Sequence, residues 1–165
     1  MYVYTLIPTV MGWVTVLSSK TGITRLGLPR PTEEEARLYT PEWRMAKRDD
    51  DCFRDLAKKI QQYFEGKKVN FNEDVDIEHF PFFSQNVWRQ TKEIPYGRTG
   101  SYAEIALKIG KPLAPRAVGQ ALGRNPIPII IPCHRVIKSD GSLGGFSGGL
   151  NIKDKLLQLE AVAEL

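Results

Sequence analysis

The stretch PIIIPCHRVI, residues 128–137, places a cysteine and a histidine directly after a run of isoleucines that is bounded by prolines. Isoleucine requires burial, and proline restricts the backbone and removes an amide donor. We therefore expect residues 126–132, the proline-rich segment, to run extended through an interior and to deliver Cys133 rigidly. A buried structural cysteine is one interpretation of this pattern, and a nucleophile held in place is the other.

His134 favours the second interpretation. A histidine within reach of a thiol can take its proton, directly or through a water, and convert a group of pKa about 8.5 into a thiolate. Adjacent side chains of a straight strand point in opposite directions, so the backbone must bend at Cys133–His134 or a water must bridge them. Glu160 lies one turn from Leu156, at the edge of the apolar face of a predicted C-terminal helix. It is either a solvated helix residue or the partner that orients His134.

Two short helices are predicted upstream of the proline-rich segment. Ser101 is a good N-cap for YAEIALKIG, residues 102–110, and Glu104 is spaced for a capping box. RAVGQALGR, residues 116–124, forms a second helix that the following Asn-Pro pair ends. A tight turn joins the two, which makes them a candidate helix-turn-helix, although ordinary helix packing is the alternative. The second helix is small on one side and carries Arg116 in its first turn, so it could lie on DNA.

The remaining pattern predicts an α/β (α+β) fold with two domains. Residues 1–75 form a small β-rich N-terminal domain, a three-stranded sheet plus a helix, and residues 76–165 form a helical C-terminal domain with the helix-turn-helix. The strands are expected at residues 2–9, 12–19 and 22–29, followed by a surface loop with at most a short helical turn at residues 29–44. Amphipathic helices are expected at residues 49–66 and 83–94.

Composition bounds the function without deciding it. The chain has 165 residues, a hydrophobic fraction of 42% and a net charge of +4, which permits a polyanionic partner but does not require one. Two cysteines and two histidines make neither a disulfide framework nor a metal-finger pattern. The N-terminus lacks the basic region of a signal peptide, and no apolar run approaches the roughly 20 residues of a membrane span. We expect a protein of a reducing compartment, with Cys52 a structural cysteine.

Four motifs carry a resemblance to a known family. NPIPIIIPCHRVI, with IPYGRTGSYAEIA and RAVGQAL upstream and GGFSGGL downstream, closely resembles the O6-alkylguanine-DNA alkyltransferases, also called methylated-DNA–protein-cysteine methyltransferases. The resemblance is dense from residue 83 to about residue 160. The N-terminal half resembles the family only in layout, a small β-rich domain and a helix ahead of the DNA-binding half.

The resemblance implies a role for each residue around the cysteine. Cys133 would be the alkyl acceptor, His134 would act through a water as its base, and Glu160 would hold His134. Asn125 would brace the turns around the cysteine. Tyr102 would crowd the phosphate of the flipped nucleotide and donate a proton to the ring of the departing guanine.

The resemblance also implies how damaged DNA is held. Arg116 would occupy the gap left in the duplex, and main-chain groups around Cys133, Val136 and Ser147 would read the guanine edge. The residues expected in the alkylguanine pocket are Val136, Phe146, Ser147 and Arg135. The residues expected to contact DNA, besides Arg116 and Tyr102, are Ala103, Lys111, Ser84 and Ser139.

Two positions depart from the family pattern. Phe146 stands where many relatives carry tyrosine, which removes a hydroxyl and can alter which alkyl groups fit. Thr91 stands where an apolar residue is usual. A zinc site of the kind that some relatives carry in the N-terminal half cannot be assembled from so few cysteines and histidines.

The sequence thus predicts direct-reversal DNA repair by a single-turnover methylated-DNA–protein-cysteine methyltransferase that flips the damaged base. The predicted partner is double-stranded DNA containing O6-alkylguanine. No cofactor, metal or membrane is expected, and the protein is expected to be a cytoplasmic monomer that associates with the nucleoid by binding DNA.

Three other classes compete with this interpretation. A DNA-binding relative without transfer activity would lack the acceptor cysteine, which this chain has. A helix-turn-helix regulator would need base-reading side chains, and alanine, glycine and valine on the second helix offer little hydrogen bonding. A Cys-His hydrolase would need an oxyanion hole and would turn over many times without DNA.

Overall fold

A hairpin of two antiparallel strands, β1 (Tyr2–Thr9) and β2 (Gly12–Ser18), starts the computed structural model, which describes residues 1–163. Both strands are rich in β-branched and aromatic residues, which suit a pleated, half-buried surface. Gly12 ends the turn between them with a φ of 124°, and a Cβ there would lie 2.5 Å from the carbonyl oxygen of Arg30. Only glycine fits that position. The first two predicted strands are confirmed.

The sheet of this N-terminal unit, Met1–Asp76, has one strand more than expected. β3 (Ile23–Leu26) lies within the third predicted strand and pairs antiparallel with β2. β4 (Ala46–Arg48) pairs parallel with β1 and makes the order β3-β2-β1-β4. The predicted three-stranded sheet is therefore corrected to four strands. β4 has only three residues and its two basic side chains are exposed, so no alternating pattern marks it.

Two helices cover the sheet. α1 (Glu33–Leu38) begins at the N-cap Thr32, within the segment expected to be a loop, and α2 (Arg54–Phe64) follows a 3-10 turn at Asp51–Phe53, as expected. α1 packs against β2, where Ala36 joins a buried cluster, while α2 packs against β1. The cluster around Ala36 contains Tyr4, Leu6 and Leu17.

The C-terminal unit, Ile77–Leu165, is mainly helical. Its helices are α3 (Phe82–Lys92), α4 (Tyr102–Lys108), α5 (Pro115–Gly123) and α6 (Leu150–Ala163). Trp88 of α3 is fully buried, and its Nε1 donates to the carbonyl oxygen of Ala121 in α5 at 2.9 Å. Thr91 is also fully buried, and its hydroxyl donates to the carbonyl oxygen of Val87 at 2.7 Å. This bond within α3 satisfies the hydroxyl at a position where an apolar residue was expected.

A two-stranded parallel sheet ties the start of α4 to the chain beyond Cys133. β5 (Gly100–Ser101) pairs with β6 (Val136–Ile137). Ser101 also caps α4, and its side chain and that of Glu104 form the predicted capping box. Tyr102, the first residue of α4, is therefore held beside the strand that follows Cys133.

The proline-rich segment is buried but not extended. Ile127, Ile129, Ile130 and Ile131 are at most 3% exposed, as expected. The segment folds into consecutive turns, in which the Ile131 amide donates to the Ile127 carbonyl at 2.9 Å and Ile129 has a φ of 74°. The expectation of an extended run was wrong. Isoleucine and proline require burial and limit helix formation, but they do not exclude tight turns when a side chain closes them.

α6 carries two charged residues on its buried side. Leu156 is 1% exposed and Ile152 and Leu159 are half-buried, which is the predicted apolar face. Lys153 and Glu160 are buried on the same helix, at 0% and 1% exposure. Within residues 1–163, no helix is long and apolar enough to cross a membrane.

Candidate active site

Asn125 closes the turns of the proline-rich segment. Its Oδ1 accepts from the Ile127 amide at 2.9 Å, and its Nδ2 donates to the Ile131 carbonyl at 2.8 Å. One side chain thus satisfies two main-chain groups that the prolines leave without a helix or strand partner. Asn125 lies where a brace for the turns before Cys133 was expected.

A single 3-10 turn, Cys133–Arg135, bends the backbone at Cys133–His134, which is one of the two arrangements expected from the sequence. A 3-10 helix turns by about 120° per residue, so three consecutive side chains point in three directions. Cys133, 6% exposed, lines a cavity, whereas His134 and Arg135 are buried and contact Glu160. The thiol and the imidazole therefore serve one site from neighbouring positions.

Glu160 binds both residues that follow the cysteine. Its Oε2 is hydrogen-bonded to His134 Nε2, and its Oε1 accepts from Arg135 Nε at 2.7 Å and from the Gly97 amide at 3.2 Å. Burial raises the pKa of the Glu160 carboxyl, but the hydrogen bonds from His134 and Arg135 and the charge of Arg135 outweigh it and lower this pKa to about 2. Glu160 is thus an anion at neutral pH, and it is the buried partner of His134 rather than a solvated helix residue.

The ionised Glu160 fixes the form of the imidazole. Burial lowers the pKa of His134, while the Glu160 hydrogen bond opposes this, so the ring is neutral at rest. Because a carboxylate only accepts, Nε2 carries the proton of the neutral ring and Nδ1 carries the lone pair. Burial also raises the pKa of the Cys133 thiol, against the Asn125 hydrogen bond and the charge of Lys153. The resting thiol is therefore protonated and needs a base.

Glu160→Gln is expected to lower the free energy of unfolding by about 3 kcal/mol at neutral pH, the value of a pKa difference of about 2.5 units. The carboxyl pKa is 4.5 when unperturbed and about 2 in the folded protein. Its stabilisation is therefore complete above about pH 4.5 and is lost as the pH falls toward 2. Urea unfolding at a series of pH values would measure this. Asp154→Asn, an exposed change on the same helix, is the matched control. The explanation would be contradicted if the difference in unfolding free energy between wild type and Glu160→Gln stayed constant down to about pH 3.

A cavity of about 530 Å³ opens in front of Cys133. α5 forms one side of it, where Gly119 and Gly123 leave space, and residues 144–147 form another. Its charged lining residues are Arg116 and Lys138, so the cavity favours an anionic or electron-rich ligand. The other lining residues include Tyr102, Pro115, Gln120, Leu122, Phe146 and Ser147.

The structure brings most, but not all, of the expected pocket residues together. Tyr102, Arg116, Cys133, Phe146 and Ser147 line the cavity. Arg135 does not: its guanidinium donates to Glu160 and, at 2.8 Å, to the Ile94 carbonyl. Its assignment to the pocket is therefore corrected, because the 3-10 turn directs it toward α6. Val136 is fully buried in β6 and is likewise outside the cavity lining.

The expected DNA contacts differ in exposure. Ala103, Lys111 and Ser139 are exposed, as Arg116 is. Ser84 is only 4% exposed, near the start of α3. Its side chain is therefore not presented at the surface.

Lys153 is the functional candidate that the sequence reasoning missed. Its Nζ donates to three main-chain carbonyls and lies near the Tyr102 hydroxyl, immediately behind the cavity wall. A lysine in a helix is ordinarily a solvated residue. The available signal was its spacing, since Lys153, Leu156 and Glu160 follow each other at i, i+3 and i+7 on one helical face.

Both halves of the chain match models of one family. The 6-O-methylguanine DNA methyltransferase DNA binding domain matches residues 82–162, and the ribonuclease-like domain of the same proteins matches residues 2–77. A methylated-DNA–protein-cysteine methyltransferase of Mycobacterium tuberculosis is 40% identical over 158 residues, which cover 95% of this chain and 91% of the relative. One of Methanosarcina barkeri is 54% identical over 108 residues, which cover 66% and 68%.

The fold is that of the same proteins. The crystal structure of the M. tuberculosis O6-methylguanine methyltransferase superposes with a TM-score of 0.83 at 39% identity, over 99% of this chain and 94% of that one. A structure of the M. tuberculosis protein in complex with DNA superposes equally well, with a TM-score of 0.83 at 37% identity over 98% and 94%. The structure thus defines a DNA-binding protein with a cysteine at the floor of a cavity. The chain belongs to the 6-O-methylguanine DNA methyltransferase family, whose members repair alkylated DNA.

Proposed function

We propose that this protein removes the alkyl group from O6-alkylguanine in duplex DNA by transferring it irreversibly to Cys133. The observation that carries the proposal is the position of the Cys133 thiol, at the floor of a cavity of about 530 Å³ and next to the buried His134–Glu160 pair. The cavity has room for a single nucleobase with its substituent, and nothing larger needs to enter it.

The proposed reaction begins at the thiol. The proton of Cys133 passes through a water to Nδ1 of His134, and Glu160 stabilises the imidazolium that forms. The thiolate attacks the alkyl carbon in line with the bond to O6. The S–C bond forms as the C–O6 bond breaks, and the electron pair of that bond remains on guanine.

Tyr102 completes the balance by donating its phenolic proton to the departing guanine. Its hydroxyl lies in the cavity wall, and its ring is bracketed by two glycines: a Cβ at Gly119 would lie 3.6 Å from the ring, and one at Gly144 would lie 2.6 Å from the hydroxyl. Because the ring is confined between these glycines, its hydroxyl has a fixed position from which to donate the proton. The thioether product is not readily hydrolysed, so each molecule would act once.

The DNA surface in this proposal is the helix-turn-helix formed by α4 and α5. The two helices pack against each other, and α5 presents Gly119 and Gly123 toward the cavity side, where they would not obstruct a duplex. Ala103, Lys111 and Ser139 would touch the DNA backbone from exposed positions. Ser84 is buried, so its contact would come from its main-chain amide near the start of α3.

Base extrusion follows from the depth of the thiol. O6 of a stacked guanine cannot reach a side chain that is 6% exposed, so the base must leave the helix, which costs a few kcal/mol. Arg116, exposed in the first turn of α5 and lining the cavity mouth, would fill the space that the base leaves. Main-chain groups near Cys133 and Ser147 would read the guanine edge.

Intact-mass spectrometry tests the proposal directly. The protein is mixed with a duplex carrying one O6-methylguanine, and Cys133→Ala and Cys52→Ser are run beside it. We expect a gain of one methyl group that saturates at one per chain, is retained in Cys52→Ser and is absent in Cys133→Ala. Tight binding to the damaged duplex without an adduct would mean that the protein is a damage sensor. The absence of both an adduct and binding would refute the proposal outright.

A further inference from the structure

Lys153 has no exposed surface, although its side chain ends in an ammonium group. Nζ donates to the carbonyl oxygens of Val136 at 2.7 Å, Leu143 at 2.5 Å and Gly145 at 3.1 Å. The Tyr102 hydroxyl lies 3.3 Å away. Burial lowers the pKa of Lys153 to about 8, so the group is still mostly charged at neutral pH. A buried ammonium with this many acceptors is held at one point.

The acceptors of Lys153 belong to the wall of the reacting cavity. Gly145 and Tyr102 both line the cavity, and Leu143 begins the segment that leads to Phe146 and Ser147. Between them, Gly144 has a φ of 72° and lies so close to Tyr102 that a Cβ would be 2.6 Å from its hydroxyl. Lys153 is therefore hydrogen-bonded to both parts of the wall that contact each other, Tyr102 and the segment from Leu143 to Gly145.

The bond to Tyr102 also orients the phenol. An ammonium has three N–H groups and can only donate, so its four acceptors share them. The Tyr102 oxygen, the most distant at 3.3 Å, accepts a shared bond from Lys153, and its own proton points elsewhere. The protein acceptor within reach is the Gly145 carbonyl, and at 3.4 Å this is a long contact. The hydrogen bond that the phenol donates within the protein is thus weak, and its proton is available to a base in the cavity.

The charge of Lys153 acts on the other reacting group as well. Burial raises the pKa of the Cys133 thiol, and the positive charge of Lys153 is one of the effects that lower it. The charge also lowers the pKa of His134, beside its larger lowering by burial. Cys133, His134 and Tyr102 are the titratable groups on the neighbouring elements that face this ammonium.

We propose that Lys153 is a positioning residue for alkyl transfer, which fixes the Tyr102 hydroxyl and the Leu143–Gly145 backbone and holds a positive charge at the wall of the cavity that Cys133 lines. The inference rests on the proposed function. A purely structural role for Lys153 would affect stability and the shape of the cavity. The proposed role instead affects the rate of the chemical step and the pH dependence of that rate.

Single-turnover kinetics separate these roles. With protein in excess over a duplex carrying one O6-methylguanine, the maximal rate constant reports the chemical step, and the protein concentration at half-maximal rate reports binding. We expect Lys153→Met to reduce the maximal rate constant roughly tenfold or more and to change the half-maximal concentration less than about threefold. Its rate should also rise to a plateau at higher pH than the wild type, because the thiolate has lost a favourable charge. Lys153→Arg should recover part of the rate, and Lys155→Met, an exposed change on the same helix, should match the wild type.

The proposal is overturned if Lys153→Met keeps the wild-type maximal rate constant, or if its loss lies wholly in the half-maximal concentration. It is also overturned if Lys153→Arg is as slow as Lys153→Met and neither shifts the pH profile. Lys153→Gln, which can donate but has no charge, replaces Lys153→Met if the latter does not fold.

A second measurement needs no DNA. In a Cys52→Ser background, the rate at which iodoacetamide alkylates Cys133 is followed against pH by peptide mass spectrometry. Its midpoint should move to higher pH in Lys153→Met, and an unmoved midpoint would refute the electrostatic part of the role. If the wild type takes up no methyl group from DNA, the proposed function fails, but this titration still decides whether Lys153 acts on the thiol.

Discussion

Replacing His134 with glutamine is expected to slow alkyl transfer to Cys133 by about 10²- to 10⁴-fold, the usual contribution of a general base. The thiol is buried, and burial raises its pKa, so at neutral pH almost no thiolate forms without a base. Glutamine can still donate a hydrogen bond to the ionised Glu160, which keeps that carboxylate satisfied, but it cannot accept a proton. The variant therefore removes the chemistry with the least disturbance of the buried network.

The pH dependence of His134→Gln provides the diagnostic result. Without a base, the reaction depends on direct ionisation of the thiol, so its rate should rise roughly tenfold per pH unit from about pH 6 to about pH 8. The wild type should rise less steeply over the same range. Single-turnover transfer from an O6-methylguanine duplex measures both, and urea unfolding checks that the variant is folded. His79→Gln, a change at the only other histidine, which is exposed, is the control. A His134→Gln rate within about threefold of the wild type would exclude a role for His134 as general base.

The parts of the fold that could be predicted are those with local causes. The capping box of Ser101 and Glu104 fixes the start of α4, and the β-branched and aromatic residues on either side of Gly12 predict the first two strands. β4 could not be predicted, because three residues with two exposed basic side chains carry no pattern. The conformation of the proline-rich segment depends on Asn125, whose side chain reaches a carbonyl six residues away. Composition alone does not distinguish such closed turns from an extended run.

The candidate site divides in the same way. The Cys133–His134 pair could be predicted from residue type and position, which suggest a thiol and a base. The residues alone left Glu160 open between a solvated helix residue and the partner of His134, and only the family resemblance assigned it the orienting role. The direction of Arg135 could not be predicted, because it depends on the 3-10 turn that separates it from the cavity. Lys153 was missed for another reason: a buried lysine is rare, and only the tertiary structure provides the carbonyls that make it possible here.

Tyr102→Phe is expected to reduce the maximal rate constant of transfer by about 10²- to 10⁴-fold while leaving the affinity for DNA nearly unchanged. The substitution removes one oxygen and keeps the ring that packs between Gly119 and Gly144. The departing guanine then leaves as an anion, since the phenolic proton is no longer available. Burial raises the pKa of Tyr102, which keeps the proton on the phenol until guanine accepts it.

The same single-turnover assay measures this prediction, and the identity of the leaving group sharpens it. A guanine analogue whose ring is a weaker base leaves more easily as an anion, so it should accelerate Tyr102→Phe markedly and the wild type much less, because only the wild type transfers a proton as the C–O6 bond breaks. Tyr2→Phe, an exposed change at the first residue of β1, is the control for loss of a hydroxyl elsewhere. If Tyr102→Phe instead weakens DNA binding and keeps the maximal rate constant, Tyr102 positions the flipped nucleotide without acting as the acid. In that case the bond from Lys153 would serve to orient the ring rather than the proton.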